Sequence, residues 1–214
     1  MSLPVIIIGS GGHAAVVADA LLASGARVLG YTDSDPRRRG ARLCGLPVLG
    51  DDSVLEEHLP GQAVLANGIG GTRVAKLRRT IQERLEASGW EFVAVRHPAA
   101  VVSPFATIGA GAQLLAACVV QAGATVARGC IVNTAAVVEH DVQLGDFVHV
   151  APRALLCGTV VVGANSHIGA GAVVKQHVRV GADTLVAAGA VVVGDFAGNG
   201  VLVGVPARVA VART

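Results

Sequence analysis

Residues 112–132, AQLLAACVVQAGATVARGCIV, contain a sequence repeat from which the architecture of most of this chain follows. An aliphatic residue stands at every sixth position, as at Leu114, Val120 and Val126, and a small residue stands two positions before each. The register continues over residues 102–192 without a gap, filling sixteen positions of sixteen. A period of six is incompatible with a continuous amphipathic helix, whose period is 3.6 residues. It is typical of a hexapeptide β-solenoid, in which each hexad forms a short strand and a turn.

Three hexads make one triangular coil of 18 residues, and this spacing predicts which residues stack. Residues one coil apart lie about 4.8 Å from each other along the solenoid axis. The rule stacks His140 on Gly158, and His149 on His167. His140 and His149 are half a coil apart, so we expect them on different faces of one solenoid. They can meet only where two solenoids pack side by side.

The residues before the repeat predict a second domain of α/β type. Strand-like runs alternate with helix-like segments, at residues 5–8, 27–32, 63–66 and 91–95. This alternation is typical of a small parallel, Rossmann-like sheet. The last helix is predicted to be capped by Thr72 and to have one apolar face, formed by Val74, Leu77, Ile81 and Leu85. We therefore divide the chain into an α/β domain, residues 1–97, and a solenoid domain with a C-terminal tail, residues 98–214.

The first predicted strand runs into GSGGHA, residues 9–14, a glycine-rich turn before a helix. Its GxGxxA spacing resembles a dinucleotide-binding turn, with Asp33 in the position of the acid that binds the ribose. The motif alone is a weak signal, because the free N–H groups and dipole of any helix start can bind a phosphate. The pattern therefore indicates an anionic ligand without identifying it.

Composition excludes several classes of protein. Hydrophobic residues make up 52% of the 214 residues and charged residues only 15%, which excludes a disordered chain. The net charge of +2 does not favour a nucleic-acid or membrane-surface partner, and no apolar run is long enough for a membrane-spanning helix. The N-terminus does not resemble a signal peptide. Because the four cysteines form no CxxC pair, we expect reduced thiols and a cytoplasmic protein.

Together these motifs resemble the bacterial sugar O-/N-acyltransferases of the NeuD-like (sialic-acid O-acetyltransferase) group, and within it the nucleotide-linked 4-amino-sugar N-acetyltransferases. The resemblance covers essentially the whole chain. Its landmarks are GSGGHA at 9–14, YTD at 31–33, NGIG at 67–70, IVNT at 131–134, VEHD at 138–141, FVHVAP at 147–152, CG at 157–158 and VGVPA at 203–207. Hexapeptide repeats alone indicate acyltransferases only broadly, whereas this combination is much more specific.

The resemblance implies a left-handed parallel β-helix and a homotrimer whose active sites lie between neighbouring solenoids. It implies acetyl-CoA as the acyl donor, bound along the groove between two subunits, and no metal. The acceptor would be a nucleotide-linked amino sugar held by the N-terminal domain. The expected activity is therefore N-acetylation of a 4-amino-deoxy sugar by direct attack of the amine, in the synthesis of surface polysaccharides or glycans.

Acetyl transfer from a thioester to an amine needs a base and a donor for the developing oxyanion. His140 is the candidate base, since an unperturbed imidazole is largely unprotonated at neutral pH, and the resemblance implies the same role. Asp141 matches an acidic family position and is expected to orient the base or the amine. Gly158 stacks on His140, and the resemblance assigns its backbone N–H as the oxyanion donor.

The resemblance also implies the positions that bind the two substrates. The residues expected to bind the nucleotide sugar are Gly11, Gly12, His13, Asp33, Asn67, Gly68 and Asn133. His149, with Gly158, is expected to contact the acetyl-CoA of the neighbouring subunit. His167 is added to this donor site only because it stacks on His149, since the resemblance gives it no role.

Three other functions compete with this hypothesis. The same base and oxyanion donor would serve O-acetylation of a sugar hydroxyl, as in sialic-acid modification. A γ-carbonic-anhydrase-like metalloenzyme would need three histidines around a zinc ion, but His149 and His167 have no convincing third partner. A non-catalytic nucleotide-sugar-binding protein would have no need of His140, Asp141 and Gly158 together.

Overall fold

The N-terminal part of the chain forms a five-stranded sheet. The structure is a computed structural model, and it describes residues 3–58, 60–71 and 76–210. The strands of this sheet are β1 Val5–Ile8, β2 Val28–Thr32, β3 Arg42–Leu43, β4 Leu46–Gly50 and β5 Val64–Asn67. Their order is β3-β4-β2-β1-β5, and only the β3–β4 hairpin is antiparallel. The α/β prediction and the first three predicted strands are confirmed, while the hairpin was not predicted.

The predicted strand over residues 91–95 is confirmed only in part, because just two backbone hydrogen bonds join it to Leu65 of β5. Phe92 makes only an isolated bridge to Leu65. The next strand, β6 Val95–Arg96, pairs with a strand of the solenoid instead. The reason is that the chain leaves the edge of the N-terminal sheet here and starts the first coil of the second domain.

Two α-helices flank the N-terminal sheet, α1 Gly12–Ala23 and α2 Lys76–Ala87. Short 3-10 turns occupy Pro36–Arg38 and Asp52–Glu57. The predicted cap of α2, Thr72, and the first residue of its predicted apolar face, Val74, lie outside the described residues. The prediction is wrong at Leu77, whose exposure is 64%.

The side of α2 that is buried holds Arg78, Gln82 and Leu85. Two of these three are polar, because α2 packs on a corner of the solenoid where backbone carbonyl groups need donors. Arg78 donates to the carbonyl oxygens of Gly129 and Phe147, the second at 2.7 Å. The apolar periodicity of a helix indicates its buried face only where the neighbouring surface is itself apolar.

The second part of the chain is a left-handed parallel β-helix. Its strands β7 to β22 are Val101–Val102, Thr107–Ile108, Gln113–Leu114, Val119–Val120, Thr125–Val126, Ile131–Val132, Val137–Val138, Gln143–Leu144, His149–Val150, Leu155–Leu156, Val161–Val162, His167–Ile168, Val173–Val174, Arg179–Val180, Thr184–Val186 and Val191–Val192. All sixteen hexad positions fall in these strands, as the periodicity predicts. The solenoid ends in β23 Gly200–Val203 and β24 Arg208–Val209, an antiparallel pair.

The strands stack into three faces. The domain face, covered by the N-terminal domain, contains β6, β9, β12, β15, β18 and β21. The valine face contains β7, β10, β13, β16, β19 and β22, and the polar face contains β8, β11, β14, β17 and β20. His149 pairs with His167 in adjacent strands of the domain face, so the stacking rule is confirmed there.

Three corners join these faces. The cavity corner lies between the domain and valine faces and includes Asn133 and Pro152. The histidine corner lies between the valine and polar faces and includes His140 and Gly158. The helix corner, on which α2 packs, lies between the polar and domain faces and includes Phe147. The valine face is therefore bounded by the cavity corner on one side and the histidine corner on the other.

The buried core of the solenoid, within the part that the structure describes, consists of Val, Leu, Ile, Ala and Cys side chains. This narrow core explains why the chain needs so few aromatic residues. The N-terminal core is continuous with the domain face, because Leu115 and Ile131 pack in the same cluster as Val17 on α1. The two domains thus share buried apolar surface, which stabilises their relative position.

Candidate active site

A cavity of about 1140 Å³ lies between the glycine-rich turn of the N-terminal domain and the domain face of the solenoid. One wall consists of the turn after β1, the end of β2 and the loop after β5. The other wall consists of domain-face strands and the cavity corner. The predicted site residues that line it are Gly11, Gly12, His13, Asp33, Gly68, Asn133, His149 and His167. Predicted site residues from both domains therefore line the same cavity.

The glycine-rich turn presents the start of α1 to this cavity. Gly11 is the residue before the helix, and no side chain caps the helix there. The first N–H inside the helix that has a backbone partner is that of Ala15, which donates to Gly11. A Cβ added at Gly11 or Gly12 would meet no atom within 4 Å, so the turn is open to a ligand. Free N–H groups at a helix start favour an anionic ligand.

Asp33 lies at the end of β2 beside this turn. Its carboxylate accepts hydrogen bonds from the N–H and hydroxyl of Ser10 and from the N–H of Asp35, and it lies 3.6 Å from the Arg38 guanidinium. Burial opposes ionisation, but these hydrogen bonds and the Arg38 charge outweigh it and lower the pKa of Asp33. The carboxylate is therefore ionised at neutral pH and holds the glycine-rich turn in place.

His13, Gln113 and Asn67 form a buried hydrogen-bonded chain between the domains. Gln113 donates to the Asn67 carbonyl at 2.6 Å, and its side-chain oxygen lies 2.7 Å from His13 Nε2. Burial, together with the Arg78 charge, lowers the pKa of His13 despite the bond to Gln113. The Asn67 side chain is 1% exposed and does not line the cavity, because its amide binds Arg78 and Gln82 behind the wall.

Gly68 lies in the wall for a steric reason. A Cβ at this position would come within 2.7 Å of Ala14 and of Ile7, so no larger residue fits between the loop and α1. The loop after β5 can approach the glycine-rich turn only because this position has no side chain.

His149 links the solenoid to the end of the same loop. Its Nδ1 lies 3.0 Å from the Gly71 carbonyl oxygen, and its Nε2 lies 3.0 Å from the Asn133 amide nitrogen. The carbonyl can only accept, so Nδ1 carries the hydrogen and Nε2 accepts from Asn133. Burial, and then the neighbouring His167 and Arg78, lower the pKa of His149 to about 3. Both ring nitrogens are thus bound within the chain, in a neutral imidazole.

His167 packs against His149 and has an unsatisfied nitrogen. The two ring centroids are 4.7 Å apart, and the rings are nearly perpendicular. His167 is 8% exposed, and among the described residues its buried Nδ1 has no hydrogen-bond partner. Burial and the Arg78 charge lower its pKa, so this ring is also neutral.

His140, Asp141 and Gly158 lie together at the histidine corner, away from the cavity. The Nδ1 of His140 lies 2.9 Å from the Asp141 carboxylate, and both side chains are more than half exposed. The carboxylate accepts, so in the neutral ring Nδ1 carries the hydrogen and Nε2 has the free lone pair. None of these three residues lines the cavity described above.

Gly158 lies directly beside the His140 ring, as the stacking rule predicts. A Cβ on Gly158 would overlap Nε2 of His140, so only glycine allows this ring position. The backbone bonds of this coil use the N–H groups of Cys157, Thr159 and Val160. The Gly158 N–H has no partner among the residues that the structure describes, so it can donate to a ligand beside His140.

Two site-forming residues, Arg78 and Gln113, were missed from the sequence. Arg78 follows Val74 in the sequence by one helical turn and lies at the edge of the predicted apolar stripe of α2, so the periodicity could have found it, but its charge favours an exposed position. Gln113 occupies an outward-facing hexad position, where a polar residue is ordinary. The sequence does hold one indication that Gln113 is buried. It stacks on Ile131 and then His149 in successive coils, and an isoleucine at an outward position indicates that this face is covered.

In the described ranges 3–58, 60–71 and 76–210, no group of three or more His, Cys, Asp or Glu side chains could hold a metal ion. No helix in those ranges has both the length and the apolar character required to cross a membrane.

Comparison with known proteins places this geometry in a family. The PglD N-terminal domain family matches residues 4–85. No curated protein matches the chain. The acetyltransferase domain of PglB from Neisseria gonorrhoeae FA1090 superposes with a TM-score of 0.91 at 38% identity, covering 98% of this chain and 100% of that one.

A second relative is PerB from Caulobacter crescentus, solved with CoA and GDP-perosamine. It has 38% identity and a TM-score of 0.88, over 98% of this chain and 100% of its own. WeeI from Acinetobacter baumannii AYE has a TM-score of 0.84 over 98% of this chain and 100% of its own, but at 24% identity it shows only the fold. The chain therefore belongs to the NeuD-like family of bacterial sugar O-/N-acyltransferases and is a sugar acetyltransferase, similar to enzymes that act on nucleotide-linked amino sugars.

Proposed function

We propose that the protein transfers the acetyl group of acetyl-CoA to the amino group of a nucleotide-linked 4-amino-deoxy sugar. The observation that carries the proposal is that His140 Nε2 lies beside the Gly158 N–H, to which no described residue gives a partner. PerB, 38% identical over nearly the whole chain, was solved with CoA and GDP-perosamine, and the PglB domain with acetyl coenzyme A.

In this proposal His140 is the general base. Asp141 fixes the hydrogen on Nδ1, so Nε2 takes a proton from the amine as the nitrogen attacks the thioester carbonyl. The Gly158 N–H donates to the oxygen that becomes negative in the tetrahedral intermediate. Collapse of the intermediate breaks the C–S bond, and the proton on His140 passes to the CoA sulfur. The products are the amide and free CoA.

The separation of His140 from the cavity supports a site built from two copies of the chain. The outward side chains of the valine face are all aliphatic: Val101, Val119, Val137, Leu155, Val173 and Val191. Packing this face against another copy would remove it from water. Because the cavity corner and the histidine corner bound it on opposite sides, head-to-tail packing around a threefold axis brings one copy's His140 to the next copy's cavity. We therefore propose a homotrimer.

The binding roles follow from the walls of the cavity. The start of α1, with Gly11 and Gly12, would hold the diphosphate, and the region of Asp33 would hold the nucleotide. Gly68 and Asn67 would shape the pocket through the loop rather than through the Asn67 side chain. Asn133 would lie near the acceptor sugar, and His149 and His167 would lie along acetyl-CoA. Gly158, which does not line this cavity, would reach the acetyl-CoA from the neighbouring copy.

The test is release of CoA thiol from acetyl-CoA with UDP-, dTDP- and GDP-linked 4-amino-6-deoxy sugars, with His140→Ala in parallel. We expect release with one amino sugar and its loss in the variant. Activity that persists in His140→Ala would refute the base. Release only with hydroxyl acceptors, or with an amine-blocked analogue, would replace N-acetylation by O-acetylation.

Gly158→Ala tests the position of the His140 ring, because alanine keeps the backbone N–H. The added methyl group would displace the ring, so we expect kcat to fall at least about 100-fold with little change in stability. Gly194→Ala is the matched control, because Gly194 occupies the same hexad position two coils further along and a Cβ there meets open space. Full activity in Gly158→Ala would refute this arrangement.

A further inference from the structure

The hydrogen-bonded chain of His13, Gln113 and Asn67 determines which ring nitrogen of His13 is available to a ligand. The Asn67 carbonyl can only accept, so it must face the amide nitrogen of Gln113, at 2.6 Å. The Gln113 oxygen then faces His13 Nε2, at 2.7 Å, and this oxygen can also only accept. Nε2 of His13 therefore carries the hydrogen.

The same ring leaves its other nitrogen as a hydrogen-bond acceptor. His13 lines the cavity, and no described residue forms a hydrogen bond with its Nδ1. Burial, the Arg78 charge and the position in the first turn of α1 all disfavour the imidazolium. A neutral ring with its hydrogen on Nε2 has a bare lone pair on Nδ1.

An acceptor at this position selects the group that can bind there. The diphosphate of a nucleotide sugar has only acceptor oxygens at neutral pH, so it cannot bind a bare Nδ1. The neighbouring N–H groups at the start of α1 are suited to it instead. The other polar groups of a nucleotide sugar near a diphosphate are hydroxyl groups, which can donate.

We propose that Gln113 is a positioning residue that sets the tautomer of His13, so that His13 Nδ1 accepts a hydrogen bond from a hydroxyl group of the bound nucleotide sugar. This inference rests on the proposed function for the identity of the ligand, but the tautomer is a property of the protein alone. Gln113 is suited to the role because it is 1% exposed and bridges both domains.

The tautomer is measured by ¹⁵N NMR of protein labelled at histidine, with the His13 signals assigned by their loss in His13→Asn. We expect hydrogen on Nε2 and none on Nδ1 in the free protein at pH 7. Gln113→Glu keeps the shape of the side chain but places a carboxylate against Nε2, which favours the doubly protonated ring. It also replaces the donor to the Asn67 carbonyl with an acceptor. Gln143→Glu is the matched control, because it changes an exposed glutamine at the same hexad position in an identical Gln-Leu pair.

Turnover then separates the role in binding from a role in folding. We expect Gln113→Glu to raise KM for the nucleotide sugar about tenfold, with KM for acetyl-CoA unchanged. Gln143→Glu should change neither constant. A KM that is unchanged in Gln113→Glu would overturn the proposal, as would hydrogen on Nδ1 of His13 in the free wild-type protein.

The source of the hydroxyl group is resolved by two ligands added to the labelled protein. A nucleoside diphosphate that shifts the His13 Nδ1 resonance toward a hydrogen-bonded value indicates a ribose hydroxyl. A shift that requires the complete nucleotide sugar indicates a hydroxyl of the hexose. If neither ligand binds, the proposed function fails while the tautomer result stands; if they bind without moving this resonance, the hydroxyl contact is refuted.

Discussion

His149 is a neutral imidazole fixed between the two domains, and this makes stability depend on pH. Its folded pKa is lowered to about 3 by burial, by His167 and by Arg78, whereas the unfolded chain has the ordinary value of 6.5. Below about pH 6.5 the unfolded chain therefore binds a proton that the folded chain excludes. Stability is fully present above that pH and is lost as the pH falls toward about 3. His13 and His167 contribute in the same direction.

We expect the free energy of unfolding to fall between pH 7 and pH 5 by about 2 kcal/mol more in the wild type than in His149→Gln. Denaturant unfolding at fixed protein concentration gives the loss of unfolding free energy between the two pH values for each protein. Comparing these losses removes the effect that the substitution has on stability at pH 7. His177→Gln, a change of an exposed histidine, is the control and should behave as the wild type. Equal losses in the wild type and His149→Gln would contradict the neutral, buried state of this ring.

Two arginines, the buried Arg78 of α2 and Arg128 of the solenoid, connect this helix to the solenoid. The Arg78 guanidinium donates to two carbonyl oxygens at the helix corner and lies 5.4 Å from the centre of the Phe147 ring. Arg128 lies over the same ring, at 5.1 Å, and pairs with Glu83 and Glu86 of α2. The helix is thus held to the solenoid by hydrogen bonds and charges more than by an apolar stripe.

Replacing Arg78 by methionine keeps most of the apolar stem but leaves both carbonyl groups without their donor. We expect the free energy of unfolding to fall by about 3 kcal/mol, because each lost bond leaves a buried carbonyl unsatisfied. Arg79→Met is the matched control on the next residue, whose partners Glu83 and Asn165 lie near the surface, and it should cost less than about 1 kcal/mol. Similar losses in both variants would show that Arg78 does not hold the helix.

The two domains differ in how far the sequence predicts their elements. In the solenoid, every hexad position is a strand, and the rule of one coil places Gly158 beside His140 without further information. That success has a physical cause, because each coil contacts only its neighbours and the local repeat is also the packing rule. The buried face of α2 depends on a solenoid corner distant in sequence, so periodicity alone misassigned Leu77. The hydrogen bonds that hold the Asn67 and His149 side chains inside the cavity wall also depend on how the N-terminal domain packs on the solenoid, which periodicity does not predict.

Within one whole chain, His140 is separated from the cavity by the valine face. The histidine corner and the cavity lie on opposite sides of the valine face, so one chain holds both parts of a site without joining them. A cyclic assembly through this face joins the parts of neighbouring copies. In the proposed mechanism, activity therefore depends on assembly, and we expect a homotrimer that also covers the apolar face.

Mixing two inactive variants tests this directly. His140→Ala lacks the base but keeps its cavity, and Gly11→Trp keeps the base but fills the cavity with a ring, at a position where a Cβ meets open space. Each variant alone should be inactive. In co-expressed, randomly mixed trimers, about a quarter of the sites would combine an intact cavity with a neighbour's intact His140, so about a quarter of wild-type activity should return. The double variant, carrying both changes in one chain and mixed with His140→Ala, should restore none. If the site is built within one chain, the two single variants will also fail to complement each other.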